Sequence, residues 1–183
     1  MYKGANPTAL QSQQWIVDSL IGLMEEKPYP QITIMDICRR ADLSRQTFYN
    51  VFEGKEEVLR FCLQSEYGRQ FQALEAHAAI TADEIVGAFA AVLQKNERLL
   101  SLMILNGLDG IISDEIAKCV ALFADQFVRD PEQIFLLPYS KAILSGALAH
   151  LLVHWFRQEE PISLEQLAQL ISDFLEGKLF VLG

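Results

Sequence analysis

The 183-residue sequence predicts an all-α protein. No stretch alternates apolar and polar residues over six or more positions, as a half-buried β-strand does. Apolar residues instead recur three and four positions apart, and Ser, Thr, Pro and Gly separate the segments that carry this spacing. Because 51% of the residues are hydrophobic and 21% are charged, the chain can bury a substantial core.

Two helices are predicted in the first forty residues or so. Apolar residues at helical spacing place the first over about 8–27, and Pro28-Tyr29-Pro30 prevents its continuation. Thr33 is expected to cap a second, two-turn helix, with Asp36 as its capping-box partner. The buried side of this second helix is formed by Ile34, Ile37, Cys38 and Ala41.

A tight turn and a third helix follow. Asp42 tolerates a left-handed backbone, and Ser44 is placed to cap a helix that begins at the next residue. Three residues at helical spacing are predicted to face the core, namely Phe48, Val51 and Phe52. The opposite, exposed side then carries Arg45, Gln46, Tyr49 and Asn50.

Gly54 separates two predicted domains, 1–54 and 55–183. A fourth helix is expected from Lys55 to about His77. The remaining helices are predicted at about 82–94 after a Thr81 cap, at 97–106 after Asn96, from a loop at 106–110 to about Arg129, at 139–158 and at 163–178.

The charge is distributed unevenly along the chain. Residues 1–60 contain seven Lys or Arg and eight Asp or Glu, whereas residues 61–183 contain eight and sixteen, within a net charge of −9. This acidic total argues against nonspecific coating of nucleic acid, but it leaves room for a local basic surface on the near-neutral first third.

Residues 33–52 form a helix, a tight turn and a second helix, an arrangement that places the second helix in the DNA major groove. Five segments carry a family resemblance: Ile16-Val17-Asp18, Ile34-Met35-Asp36-Ile37, Ala41-Asp42-Leu43-Ser44, Arg45-Gln46-Thr47-Phe48-Tyr49 and Phe52-Glu53-Gly54-Lys55-Glu56-Glu57-Val58-Leu59. Over residues 16–59 the sequence closely resembles the DNA-binding domain of TetR/AcrR-type regulators. The remainder is similar to that family in its helical plan and in the passage from Trp155 to Leu167.

The resemblance implies that the first domain binds double-stranded operator DNA. By the family's pattern, Arg45 approaches guanine and Gln46 approaches adenine, and Gln46 and Asn50 suggest an individual base preference. Phosphates would be held by Thr33, Ser44, Thr47, Tyr49 and Lys55, the last at a helix amino end. The alternative is that these residues are caps and a solvated helix face, which is the ordinary interpretation of any single one of them.

The last two long helices, about 139–158 and 163–178, are predicted to form a twofold homodimer interface. Small residues on the first helix allow the backbones to approach closely, and the apolar stripe on the second is wider than a lone monomer needs. The residues concerned are Ala142, Gly146, Ala147, Ala149, Leu167, Leu170, Ile171 and Phe174.

Similarity to the family also implies that a cavity in the second domain binds a small-molecule effector. We expect an apolar or aromatic effector, with the fourth helix as the lever that carries its effect to the first domain. The expected contacts are Tyr67, Phe71, Phe89, Met103, Phe123 and His150.

Neither the histidines nor the cysteines indicate a metal or redox site. His150 and His154 have a spacing that can chelate a metal, but no third ligand is evident, so a core, a pocket wall or a subunit interface is the preferred interpretation. The three cysteines form no CxxC pair and are interpreted as reduced thiols.

The leading functional interpretation is a ligand-responsive transcription regulator, more often a repressor in this family. The alternative is a helical ligand-binding or interaction protein whose helix-turn-helix has lost DNA binding, which the acidic balance and the uncharged Asn50 favour. No nucleophile elbow, phosphate loop or catalytic carboxylate pair is present in the sequence, so neither an enzyme nor a cofactor is expected. Because the apolar stretches are too short to span a membrane and the amino terminus lacks a signal-peptide pattern, a soluble cytoplasmic protein without membrane contact is predicted.

Overall fold

The computed structural model of the chain describes residues 7–74, 81–123 and 135–179. Within these ranges it contains eight α-helices joined by short turns and no β-strand, which confirms the predicted all-α fold. The chain divides into two compact units, 1–64 and 65–183. The predicted boundary at residue 54 marks the start of the fourth helix, whereas the first unit continues further along that helix.

The first unit consists of α1 (Pro7–Glu26), a 3-10 turn (Tyr29–Gln31), α2 (Ile34–Ala41), α3 (Arg45–Val51) and the beginning of α4 (Lys55–Leu74). Helices α1, α2 and α3 pack against one another. Their contact is an apolar core in which six large side chains are at most 2% exposed: Ile16, Leu20, Ile32, Ile37, Phe48 and Phe52. Burial of one apolar stripe from each short helix is what stabilises them, since helices this short are marginal alone.

The second unit contains α5 (Ala82–Leu105), α6 (Asp109–Phe123), α7 (Leu137–Arg157) and α8 (Leu164–Leu175). The principal packing pairs are α6 with α7 and α5 with α8. The most deeply buried side chains of this unit, at most 2% exposed, are Leu100, Met103, Ile112, Val120, Leu152 and Leu167, together with the carboxylate residue Glu115.

The predicted break at Asn96 is wrong. Residues 82–105 form one continuous helix, in which Asn96 Nδ2 donates to the Val92 carbonyl at 2.9 Å. This bond satisfies the amide inside the helix, and Leu99, Leu100 and Met103 continue the buried stripe beyond it. Tertiary packing therefore overrides the local preference of Asn for a cap.

The loop predicted at 106–110 is shorter than expected. Asp109 and Gly110 already belong to the first turn of α6. Gly107 alone supplies the left-handed backbone, with φ of 69°, and the Leu108 amide closes the turn by donating to the Met103 carbonyl at 2.9 Å.

Other helix ends agree with the sequence to within a few residues. Helix α4 is described to Leu74 and α6 to Phe123, so the predicted ends at His77 and Arg129 lie outside the described residues. Helix α7 begins at Leu137 and takes Pro138 into its first turn, where a missing N–H costs nothing. The α8 capping box pairs Ser163 with Gln166. Among the described residues, no helix is long and apolar enough to cross a membrane.

Candidate nucleic-acid interface and ligand cavities

The start of α2 is fixed by a capping box, as predicted. The Asp36 amide donates to Thr33 Oγ1 at 3.1 Å, and the Thr33 amide donates to Asp36 Oδ2 at 2.9 Å. Lys27 Nζ donates to the same carboxylate at 2.8 Å, and this bond together with those from Thr33 holds the pKa of Asp36 well below its usual range. The end of α1 is thereby tied to the start of α2. The Thr33 hydroxyl also donates to Asp36 Oδ2 at 2.8 Å, so its proton is already used.

The turn between α2 and α3 has the predicted left-handed residue. Asp42 has φ of 53° and ψ of 46°, and the following Leu43 amide donates to the Cys38 carbonyl at 3.0 Å. Ser44 then caps α3, because its Oγ accepts from the Thr47 amide at 3.0 Å. The Ser44 and Thr47 hydroxyls also lie 2.9 Å apart. These local bonds set the direction in which α3 leaves the turn.

Helix α3 has a buried face and an exposed polar face, as its spacing predicted. Phe48 and Val51 are buried, and Phe48 packs against Phe52 with ring centroids 6.2 Å apart. The residues on the opposite face are exposed: Arg45, Gln46, Tyr49 and Asn50. The Arg45 guanidinium lies 6.0 Å from the centroid of the Tyr49 ring, so these two side chains are neighbours on the surface. The structure therefore places the four side chains that were predicted to be exposed on one face of α3.

Lys55 has a tethering role that the sequence did not indicate. Its ammonium donates to the carbonyls of Tyr29 at 2.7 Å and Ile32 at 2.8 Å, and it lies 4.0 Å from the centroid of the Tyr29 ring. Partial burial lowers the pKa of Lys55. An ammonium has three protons, so two carbonyl bonds leave one for a phosphate. Lys55 thus links the start of α4 to the connection between α1 and α2.

Thr33 and Lys55 line one open concave surface of about 760 Å3 in the first unit. Glu53 and Glu57 also line it, and Glu57 Oε2 accepts from the Glu53 amide at 2.6 Å. That bond satisfies one of the free amides before α4, so a phosphate at this point competes with an internal carboxylate.

The sequence reasoning missed two exposed side chains on α2. Met35 is 57% exposed and Arg39 lies four residues later, away from the buried Ile37 and Cys38. Arg39 forms no ion pair with any described residue, whereas the adjacent Arg40 pairs with Glu26. The spacing of these two residues opposite the buried pair is the signal that could have identified them.

An apolar cavity lies among α5, α6, α7 and α8. It is lined by Phe89 and Cys119 and by eight aliphatic side chains, and its free volume is about 20 Å3. A volume of this size admits roughly one water-sized molecule. Of the predicted effector contacts, Phe89 lines this cavity. Met103 is fully buried elsewhere in the core of the unit.

His150 lies in a different place, on a polar groove of about 240 Å3 between α6 and α7. Asp109 and Ser113 of α6 and His154 and Arg157 of α7 line the same groove, with Ala149 and Val153 as its apolar wall. Arg157 Nη2 donates to Asp109 Oδ2 at 2.6 Å. Within the described residues, no three His, Cys, Asp or Glu side chains form a group that could hold a metal.

Tyr67 is bonded to a buried carboxylate. Its hydroxyl donates to Glu115 Oε2 at 3.1 Å, and Lys118 Nζ donates to Glu115 Oε1 at 2.6 Å. Burial, reinforced by Glu115, raises the pKa of Tyr67 above its usual range. Helix α4 is therefore tied to α6. The side chains of Phe71 and Phe123, the two remaining predicted contacts, lie outside the described residues.

The described cysteines are not poised for redox chemistry. Burial raises the pKa of both Cys62 and Cys119 to about 12, and it also raises the pKa of Cys38. A thiol with a raised pKa remains protonated and unreactive at neutral pH.

The comparisons with known proteins agree with this geometry. The family model of bacterial regulatory proteins of the tetR family matches residues 16–61, which span the capped turn and α3. The chain is 28% identical over 145 residues to the HTH-type dhaKLM operon transcriptional activator DhaS of Lactococcus lactis, covering 73% of this chain and 75% of that protein.

Two solved structures share the fold over nearly the whole chain. Lin0861 from Listeria innocua superposes with a TM-score of 0.73 at 14% identity, covering 97% of this chain and 96% of that one. A TetR transcriptional regulator from Streptococcus agalactiae superposes with a TM-score of 0.62 at 19% identity, covering 92% and 95%. Residues 16–61 are therefore similar to the DNA-binding domain of the tetR family of bacterial regulatory proteins, and most of the chain is similar to a helix-turn-helix transcriptional activator.

Proposed function

We propose that the protein is a homodimeric, ligand-responsive regulator that reads its operator with the exposed face of α3. One observation carries this proposal: Arg45, Gln46, Tyr49 and Asn50 of α3 are all exposed, opposite a face fixed by the buried Phe48 and Val51. A rigid polar helix face held on a small core is what major-groove readout requires.

Within this proposal the polar residues divide into two groups. Arg45 forms a bidentate contact with guanine and Gln46 with adenine, and Asn50 adds to the base preference. The phosphates are held by Ser44, Thr47, Tyr49, Thr33 and Lys55. The free proton of Lys55 suits this task, whereas Thr33 must release its bond to Asp36 to donate to a phosphate.

The exposed face of α7 supports dimerisation. Tyr139 and Ile143 are each 69% exposed and lie one turn apart, and Gly146 continues the same face. A Cβ at Gly146 would meet no atom within 4 Å. A second copy is the occupant that we propose, because a twofold axis buries the same apolar patch on both chains.

Helix α8 contributes less to this face than its sequence suggests. Leu167 and Ile171, the centre of its apolar stripe, are 1% and 4% exposed within the chain itself, where α8 packs on α5. Most of that stripe is therefore used inside the monomer, and the interface rests chiefly on α7.

The effector site of the proposal is the apolar cavity of the second unit. An apolar or aromatic effector suits its lining, but a free volume of about 20 Å3 requires the helices to separate before any such molecule enters. An effector that binds only when these helices separate favours a different conformation of the second unit. Such a preference is what allows a ligand to alter operator affinity.

The direction of regulation follows from where the operator lies. A regulator that occupies an operator within a promoter represses transcription, whereas the relative from Lactococcus lactis is named as an activator. A reporter assay on the protein's own upstream region decides between repression and activation.

Selection from random duplexes with the full chain tests the proposal. We expect an inverted repeat whose half-sites lie about 10 base pairs apart or a whole-turn multiple, because two recognition helices must enter successive major grooves. Fluorescence anisotropy then compares the selected duplex with a scrambled one. Equal affinity for both would overturn sequence-specific regulation.

A further inference from the structure

We propose that Arg40 is a positioning residue for operator readout, because its side chain ties the end of α2 to α1 and so sets the direction of α3. Arg40 contacts α1 at Gly22 and Glu26, two residues one helix turn apart that together form the Gly22–Glu26 surface. This inference rests on the proposed function, since it concerns how the exposed face of α3 is presented to DNA.

Gly22 leaves room for the Arg40 guanidinium. A Cβ at this buried position would lie 2.7 Å from Arg40 Nη2, 3.0 Å from Cζ and 3.2 Å from Nε. The other glycines in the described part of the chain have no such neighbour within 4 Å. Because glycine inside a helix is less favourable than alanine, the close approach of the guanidinium is a specific use of this position.

Glu26 binds the same guanidinium one turn further along α1. Arg40 Nη1 donates to Glu26 Oε1 at 2.5 Å. Both side chains are partly exposed, and an exposed ion pair by itself contributes little to stability. The planar guanidinium is nevertheless held at two points, against Gly22 and by the bond to Glu26, so its orientation is restricted. The contact therefore matters more for the direction of α2 than for the free energy of unfolding.

The Arg40 contact is the second of two polar ties between the end of α1 and α2. The first is the bond that Lys27 Nζ donates to Asp36 Oδ2 in the first turn of α2. Arg40 follows Asp36 by four residues, which corresponds to roughly 6 Å along a helix axis. The apolar core holds α2 against α1, but apolar burial is not directional. Two polar ties one turn apart fix the direction of the helix as well as its position.

The end of α2 determines where α3 begins. Asp42, with its left-handed backbone, caps α2 two residues after Arg40, and α3 starts at Arg45. A rotation of the end of α2 is therefore carried into α3 through a short turn. Bidentate contacts with base edges tolerate little misalignment, because both hydrogen bonds must form at once. The sequence-independent attraction of phosphates depends on charge and is less sensitive to such a rotation.

Gly22→Ala tests the inference directly, because it adds one methyl group and removes no charge. The methyl group displaces the flexible guanidinium, whereas alanine itself favours the helix. Anisotropy of the full chain is measured on the selected duplex and on the scrambled one, over a range of salt concentrations. We expect operator binding to weaken about fivefold, with the scrambled-duplex affinity and the salt slope unchanged and the urea midpoint not lowered.

Gly87→Ala is the matched control. It makes the same change inside α5, where an added Cβ meets no atom within 4 Å. The affinities for both duplexes should therefore equal those of the wild type.

A double-mutant cycle with Arg40→Gln identifies the guanidinium as the group that the methyl group displaces. Arg40→Gln alone should weaken operator binding by a similar factor. Adding Gly22→Ala to it should cause no further loss, since the displaced group is already absent. The cycle also decides the case in which Gly22→Ala lowers the urea midpoint, because a methyl group that disturbs α1 itself would cause its loss in both backgrounds.

The outcomes separate this inference from the function on which it rests. It would be overturned by an operator affinity of Gly22→Ala within about twofold of the wild type, by an equal loss on the operator and the scrambled duplex, or by a further loss of about fivefold in the double variant. Equal affinity of the wild type for the two duplexes would instead overturn the proposed function.

Discussion

Replacing Lys55 with Met tests both the internal and the DNA-binding role of this residue. The substitution keeps an unbranched apolar stem over the Tyr29 ring but removes the ammonium. It therefore deletes the bonds to the Tyr29 and Ile32 carbonyls, together with any contact that the third proton makes with phosphate. The capped start of α2 follows directly after Ile32, so the lost bonds lie next to the helix-turn-helix.

The expected cost follows from the bonds that are lost. A hydrogen bond to a charged group contributes about 1.5–3 kcal/mol, and a cation over an aromatic ring contributes from about 0.5 kcal/mol at an exposed site to about 2 kcal/mol at a desolvated one. Lys55 is half-exposed and its pKa is lowered by burial, so desolvation of the ammonium offsets part of this gain. We expect Lys55→Met to lower the free energy of unfolding of the first unit by about 1–3 kcal/mol.

Urea unfolding followed by Trp15 fluorescence measures that cost. The chain has two tryptophans, of which Trp15 lies in the first unit and Trp155 in the second, so a Trp155→Phe background reports on the first unit alone. Lys178→Met serves as the matched control, because Lys178 is exposed and pairs with Glu176 near the end of α8. Anisotropy over a range of salt concentrations measures the DNA role, and each lost phosphate contact lowers the salt slope by about 0.9.

The two measurements separate the two roles. A Trp15 transition that stays within about 0.5 kcal/mol of its parent would refute the tether, since that is the range of neutral surface changes. A salt slope equal to that of Lys178→Met would refute the phosphate contact while leaving the tether intact.

Four further outcomes are expected. Arg45→Ala should cost about 1–3 kcal/mol of operator binding and relax preference at one base position, measured by anisotropy on single-base variants of the operator. Because the pKa of Asp36 is lowered in the folded chain, the Asp36 carboxylate stabilises the fold above its unfolded pKa of about 3.9, and this stabilisation is lost as the pH falls below that value. The free energy of unfolding of Asp36→Asn should therefore change less between pH 6 and pH 3 than that of the wild type. Ile143→Glu should shift the mass by light scattering from a dimer to the 20.7 kDa monomer, and an unchanged dimer mass would place the interface elsewhere. Tyr67→Phe removes the hydrogen bond that Glu115, a side chain only 2% exposed, accepts from the Tyr67 hydroxyl. Thermal unfolding should show the second unit destabilised by about 1–3 kcal/mol, and adding Glu115→Gln should reduce this cost.

Features that depend on neighbours in the sequence were the most predictable. The Thr33 capping box, the Ser44 cap and the left-handed Asp42 each involve residues within three or four positions, and all three are present. The exposed face of α3 was predictable for the same reason, because helical spacing alone decides which side chains oppose Phe48.

Features that depend on which helices become neighbours could not be predicted. Spacing places Met103 and His150 on helix faces, but it does not show that Met103 faces the core and His150 a groove beside α6. The Lys55 bonds join residues 23 and 26 positions apart, and backbone carbonyls carry no signature in the sequence. The prediction of a helix break at Asn96 was wrong for the opposite reason, because the packing of a long helix outweighs the local preference of Asn for a cap.

The magnitudes decide whether α4 can serve as the lever of the proposed switch. A tenfold effect of a ligand on operator affinity needs a coupling free energy of about 1.4 kcal/mol. Ile116 lines the apolar cavity, and the adjacent Glu115 accepts the bond from Tyr67 of α4. One such bond contributes about 0.5–1.5 kcal/mol, or more when its acceptor is charged. The loss of this one bond is therefore of the size that a tenfold switch requires.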